Sequence, residues 1–163
     1  MNILTVNLLG SILVFAVAAK LYVMPRLSTL DPRALLLPIL LLHSCRHLGL
    51  MFLAPGATYA GIAPEFAYPA AFGDLLAAVL AMIAIAALTA NHRRARALVW
   101  IFNIEGTLDL ALAVVLATLY GADAHMGPAY WIPAFWVPAL LVSHYITWVV
   151  LLRHWPGASS GRS

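Results

Sequence analysis

Residues 41–56, LLHSCRHLGLMFLAPG, place His43, Arg46 and His47 inside a run that is otherwise long and apolar enough to cross a membrane. Ionisable groups at membrane depth are rare and costly, and they ordinarily face the interior of a bundle, so these three residues mark a candidate site. On an α-helix His43 and His47 stand four apart and Arg46 three from His43, so all three project within about 100° of one face while Cys45 points away. If this stretch spans a bilayer, the other segments must supply the partners of these groups.

The composition agrees with a lipid solvent. The 163 residues are 64% hydrophobic and 9% charged, with a mean hydropathy of +0.94, whereas soluble domains carry about 25% charged residues. The net charge of +3 does not describe a nucleic-acid surface, because eight of the nine Lys and Arg lie in or beside short connections between apolar runs. The single cysteine, Cys45, excludes an intrachain disulfide, a CxxC pair and a CxxCH haem attachment site. No Lys or Arg precedes Lys20, so the N-terminal apolar run lacks the basic flank of a signal peptide and reads as a retained first span.

Five runs can each cross about 30 Å of hydrocarbon, which takes about 20 residues. They cover residues 3–24, 34–54, 69–90, 97–119 and 131–152, with Pro and Gly marking the breaks. The expected fold is therefore an all-α integral membrane protein, a single five-helix transmembrane bundle over residues 1–155, with a flexible tail at 156–163. Lys20, Arg26 and Arg33 flank the first connection, Arg93, Arg94 and Arg96 lie at the third, and Arg153 and Arg162 follow the last span; the second and fourth connections have neither Lys nor Arg. The positive-inside rule then sets the N-terminus outside and the C-terminus in the cytoplasm, with Tyr59, Phe66, Tyr68, Tyr130 and Trp131 at an outer aromatic belt. An inner (plasma) membrane of bacterial type is the expected location. Gly73, Ala77, Ala81 and Ala84 form a small-residue stripe that makes the third span the central packing helix. Pro138, well inside the fifth span, predicts a kink. No internal repeat suggests an inverted-repeat transporter.

Four of the five spans carry ionisable groups. Asp74 stands on the third span, Asn103, Glu105 and Asp109 on the fourth, and His144 on the fifth, flanked by Ser143, Tyr145 and Thr147; the first offers only Asn7 and Ser11. A rise of about 1.5 Å per residue puts Arg46 and Asp109 at about 18 Å from the cytoplasmic side and Asp74 at about 23 Å, with His43, Glu105 and His144 at about 10 to 14 Å. Two tiers result: a buried arginine with one or two aspartates, and two histidines with a glutamate, His47 lying near the upper tier. Three acids face one arginine. Such an excess of negative charge does not persist in a low dielectric, so acids or a histidine carry protons, or a cation is bound.

Plainer roles stand beside these. Arg46 with Asp109 is a structural ion pair as readily as a working one, Asp74 reaches interfacial water, Asn103 and Thr107 act as interhelical hydrogen-bond glue, and His92, His125 and His154 are solvated. The leading functional reading is a site for a small ligand or for proton relay, built from His43, Arg46, His47, Asp74, Asn103, Glu105, Asp109 and His144, in a receptor, channel or accessory subunit. Its partners are the bilayer, a small molecule or protons, and a second copy or a larger membrane complex, without nucleic acid. A second reading is a redox or metal protein. In it His43 and His144 are axial ligands of a haem b, or His43, His47, Glu105, Asp109 and His144 bind zinc or iron. The third is a membrane enzyme acting on a lipid or isoprenoid with Glu105, Asp109 or a histidine as acid or base, and Trp100, Phe102, Trp136, Tyr145 and Trp148 lining its pocket. No nucleophile motif or phosphate loop supports a reaction type. In size and five-span layout the chain is similar to the translocator-protein family of small tryptophan-rich membrane proteins. That likeness is one of layout alone, and no ligand or residue role is carried over from it.

Overall fold

The computed structural model describes residues 2–155. Among them there is no strand, and five helices are long and apolar enough to cross a membrane: α1 (Ile3–Arg26), α2 (Pro32–Leu53), α3 (Pro64–Thr89), α4 (Ala95–Leu119) and α5 (Gly127–His154). The tail expected at 156–163 lies outside the described residues.

Local chemistry sets the helix starts. The Asn2 side chain accepts the Thr5 N–H at 2.8 Å, and the Asp31 carboxylate accepts the Arg33 N–H at 3.0 Å, each satisfying a donor that the first turn leaves free. Pro32 and Pro64 stand at the starts of α2 and α3, where a missing N–H costs nothing. Because Pro64 opens α3, the helix begins before the expected boundary at residue 69. Glu65, Phe66 and Tyr68 therefore sit in its first turns. Phe66 is a correction to the aromatic belt: it is buried and packs edge to face on Phe52, with ring centroids 5.1 Å apart. Tyr59, Tyr68 and Trp131 are exposed. α5 opens with a 3₁₀ turn over Gly127–Tyr130 and a π-helical turn over Ile132–Trp136, and α-helix follows over Val137–Val149 with Pro138 in its first turn.

Successive helices alternate in direction, as the contacts between connections demonstrate. At one end the Arg33 guanidinium, beside the first connection, hydrogen-bonds Asn91 of the third. At the other, Asn2 donates to Asp123 at 2.7 Å, and the Tyr59 N–H donates to the His125 carbonyl at 3.0 Å. Among the described residues the first end therefore gathers Lys20, Arg26, Arg33, Arg93, Arg94, Arg96 and Arg153 against Asp31 alone, while the second holds Glu65 and Asp123 with no Lys or Arg.

α3 packs against both α2 and α4, and its stripe residues Ala77, Ala81 and Ala84 are all fully buried. Small side chains let neighbouring backbones approach where lipid gives no hydrophobic drive for association. α1 is peripheral. It leans on α5, and no residue of its Ile3–Ala18 portion is buried.

The interior divides into two apolar clusters. The one toward the basic end joins Leu36 and Leu40, Ala81 to Leu88, Val99 with Phe102, and Val150 with Leu151. The other joins Phe52, Phe66, Ala70, Leu110, Ile132 and Leu140. On each of α2, α3, α4 and α5 the residues that separate the clusters in sequence include the polar ones: 43–46, 74, 103–109 and 143–144. A polar layer thus crosses the core between two apolar ones.

Candidate functional site

The polar layer is organised by a change of helix type in α2. Over Pro32–Ser44 the helix is α, and its buried residues Leu36, Ile39, Leu40 and His43 follow the α period. Over Cys45–Leu53 it tightens to a 3₁₀-helix whose buried residues, Arg46, Gly49 and Phe52, come every third position. Side chains at i and i+3 eclipse in that geometry, and runs of this length are uncommon. The phase change keeps His43 and Arg46 inside and turns His47 out. His47 is exposed with its Nδ1 against the Ser44 carbonyl at 3.0 Å, so the expectation that it shares the site is corrected.

Arg46 is fully buried, and each nitrogen of its guanidinium has a partner. Nε donates to Asp74 Oδ1 at 2.6 Å, and the second terminal nitrogen pairs with Asp109 Oδ2. The first donates to the Gly106 carbonyl at 3.3 Å and faces His144 Nε2 at 3.4 Å. Desolvating a guanidinium costs several kcal/mol, and charge-assisted bonds to two carboxylates in the geometry of its planar fork offset that cost. The expected pair of Arg46 and Asp109 is present. Asp74, expected to reach interfacial water, is instead 6% exposed and paired.

Arg46 also joins the two tiers, through His144. His144 Nδ1 lies 2.7 Å from Asn103 Oδ1, and the Asn103 amide reaches the His144 carbonyl at 3.4 Å, so Asn103 ties α4 to α5. An amide oxygen can only accept, which assigns the proton to His144 Nδ1 and leaves the Nε2 lone pair toward Arg46. The ring of His43 lies against that of His144, with centroids 4.2 Å apart, and its Nε2 meets Ser143 Oγ at 2.8 Å. The Ser143 hydroxyl donates to the Leu140 carbonyl at 2.9 Å, so His43 Nε2 is the donor to it. His43 Nδ1 is then a buried lone pair with no hydrogen-bond partner. Phe102 stands edge-on to His43 and stacks on His144.

Glu105 departs from its expected place beside the two histidines. α4 turns Asn103 and Gly106 toward His144, and Glu105, one residue and about 100° round from Gly106, makes no hydrogen bond to either ring. Its Oε2 is buried and unpartnered. The layer holds one guanidinium against three carboxyl groups.

Three glycines make room for this assembly, and none of them is among the expected site residues. A Cβ on Gly49 of α2 would overlap the Asp74 side chain of α3, and one on Gly73 of α3 would overlap the Asp109 carboxylate of α4. One on Gly106 of α4 would stand 2.6 Å from His144 Cε1 and 2.7 Å from an Arg46 nitrogen. Each helix thus receives a polar side chain from another at a missing side chain of its own. The detectable signal is a glycine within three residues of each charge, in Arg46-x-x-Gly49, Gly73-Asp74 and Gly106-x-x-Asp109.

The geometry also bears on the redox reading. A porphyrin between His43 and His144 needs the two rings held apart on its opposite faces, with each nitrogen directed at the iron. Here the rings touch, and Nε2 of each is engaged elsewhere, so no haem fits between them in this arrangement. Among the described residues no group of three or more His, Cys, Asp and Glu is placed to hold a metal ion. The aromatics proposed to line a substrate pocket are dispersed: Phe102 is core, Trp100 packs edge to face on Trp148 with centroids 5.0 Å apart, and Tyr145 is exposed.

Fold and site together define a class: a bundle of five helices suited to span a membrane, with a buried arginine bound by two carboxylates at its centre. The chain belongs to the family described as Domain of unknown function (DUF8737), whose model matches residues 3–152. No curated protein and no solved structure matches it.

Proposed function

We propose that the chain crosses a membrane five times, N-terminus outside and C-terminus in the cytoplasm, and that its polar layer relays protons through the middle of the bundle as part of a channel or as an accessory subunit of a membrane complex. The separation of seven basic residues at one end from two acids at the other supports that orientation.

One observation carries the relay reading. Hydrogen bonds and ion pairs join Asp74 and Asp109 through Arg46 to His144, a ring contact joins His144 to His43, and a hydrogen bond joins His43 to Ser143, in a layer whose acids outnumber its cation. Arg46 keeps its own proton and holds the acids and His144 around one point. Asp109, the less enclosed of the two paired acids, takes up a proton; Arg46 stands between it and His144, so the proton passes to the His144 Nε2 lone pair when the guanidinium moves aside, and from His144 to His43 where their rings meet. The free lone pair at His43 Nδ1 is where it can rest. Histidine suits this work because its two nitrogens accept on one side and release on the other.

The test is proton flux into proteoliposomes under an imposed potassium diffusion potential, read with an internal pH dye. The expected result is acidification faster than in protein-free vesicles, falling at least tenfold in folded D109N and H144Q and unchanged in H47A. A wild-type rate equal to that of empty vesicles would end the proposal, as would variants that match the wild type.

A further inference from the structure

A groove of about 430 Å³ runs between α1 and α5, away from the polar layer and independent of the relay. Its walls include Ala16 and Ala19 of α1 and Leu141 and Val142 of α5, and Lys20 and Tyr145 are its polar lining residues. The groove exists because the alanines leave α1 without bulk opposite α5. It extends along α1 from Ile12 to Met24, a length of about 18 Å at the α-helical rise, which is about the depth of one leaflet of a 30 Å hydrocarbon core. The leaflet concerned is the one at the basic end of the bundle, since α1 ends there at Arg26.

Charge identifies the occupant. Lys20 is exposed, and among the described residues both ion pairs belong to Arg46, so no carboxylate neutralises the Lys20 ammonium. The two helices that form the groove end in basic residues, Arg26 and Arg153, and among the described residues the only acid at that end is Asp31. A lysine a few residues inside a span extends its ammonium to the headgroup level while its stem lies along apolar surface. The Tyr145 hydroxyl adds a donor. An apolar trough one leaflet deep beside an unpaired ammonium matches a molecule with an acyl chain and a negatively charged phosphate.

We infer that the groove between α1 and α5 binds one anionic phospholipid of the basic-end leaflet, an acyl chain lying along Ala16 and Ala19 and the phosphate held by Lys20. The lipid would fill the gap beside a peripheral helix whose main packing is on α5. The full-length protein is placed in nanodiscs of equimolar phosphatidylglycerol and phosphatidylcholine, released, and weighed by native mass spectrometry with its retained lipid. One lysine near a headgroup contributes an enrichment of roughly fivefold. The expected result is a single retained lipid, phosphatidylglycerol about fivefold over phosphatidylcholine, with K20Q bringing the two to parity. A16W, which fills the trough, removes the retained lipid of either kind; V142W makes the same test from the opposite wall should A16W misfold. Equal retention of the two lipids by the wild type would overturn the inference, and so would an enrichment that survives K20Q or a retained lipid that survives both tryptophan variants.

Discussion

Replacing Arg46 with Met tests the polar layer as an electrostatic unit. The substitution keeps much of the stem volume and removes the guanidinium between Asp74 and Asp109. Breaking a buried ion pair from one side costs about 3 to 5 kcal/mol, because the charge left behind has neither water nor a partner. Here two carboxylates lose the same cation, and the Gly106 carbonyl and His144 Nε2 lose a donor, so the cost belongs at about 4 to 5 kcal/mol, the upper part of that range. The triple variant R46M/D74N/D109N removes all three charges at similar volume and should recover at least about 2 kcal/mol, since replacing a whole buried ionic group is far milder than splitting it. Both are measured by reversible unfolding in mixed micelles, followed by circular dichroism and by the fluorescence of the five tryptophans. A loss below about 1 kcal/mol in R46M, or no recovery in the triple variant, would refute the reasoning that the layer is held by charge compensation.

Other consequences follow from the same geometry. G73V should drive a side chain into the Asp109 carboxylate and G106A should press on His144 and Arg46, each costing about 1 to 3 kcal/mol in the same unfolding assay, whereas G10A, with nothing within 4 Å of its added Cβ, should stay within about 0.5 kcal/mol of wild type. H47A should be similarly silent in stability, while H43A should lose about 1 to 3 kcal/mol by opening a cavity against Phe102 and the His144 ring and removing the donor to Ser143 Oγ. Single cysteines placed at Thr29 and Asn91 in a C45S background should be protected from a membrane-impermeant maleimide in intact cells, and those at Tyr59 and Ala124 should react; the reverse pattern would invert the proposed orientation.

The number of the helices was legible because runs of about 20 apolar residues have few alternatives, though α3 and α5 begin five and four residues before their expected starts; the central role of α3 was legible because small residues at helical spacing pack closely. The pairing of Arg46 with Asp109 followed from depth, since a rise per residue fixes height along a helix. Height does not fix lateral separation. His43 and His144 share a level, which suggested a haem between them, yet their rings touch. His47 was misplaced because the α period was carried through residues 45–53, where the helix tightens and the face advances by 120° per residue instead of about 100°. Glu105 shares the depth of the histidines but not their face. The roles of Gly49 and Gly73 became visible only once Asp74 and Asp109 were found against them, because a glycine in a membrane helix serves many kinds of close contact.

The central claim is that the layer around Arg46 takes up and releases a proton, and infrared difference spectroscopy of the reconstituted protein tests it most directly. On a pH step the account predicts a protonated-carboxyl band that appears and disappears reversibly and is lost in D109N/E105Q. A layer whose carboxylates stay ionised through the step, with no such band in the wild type, would contradict it.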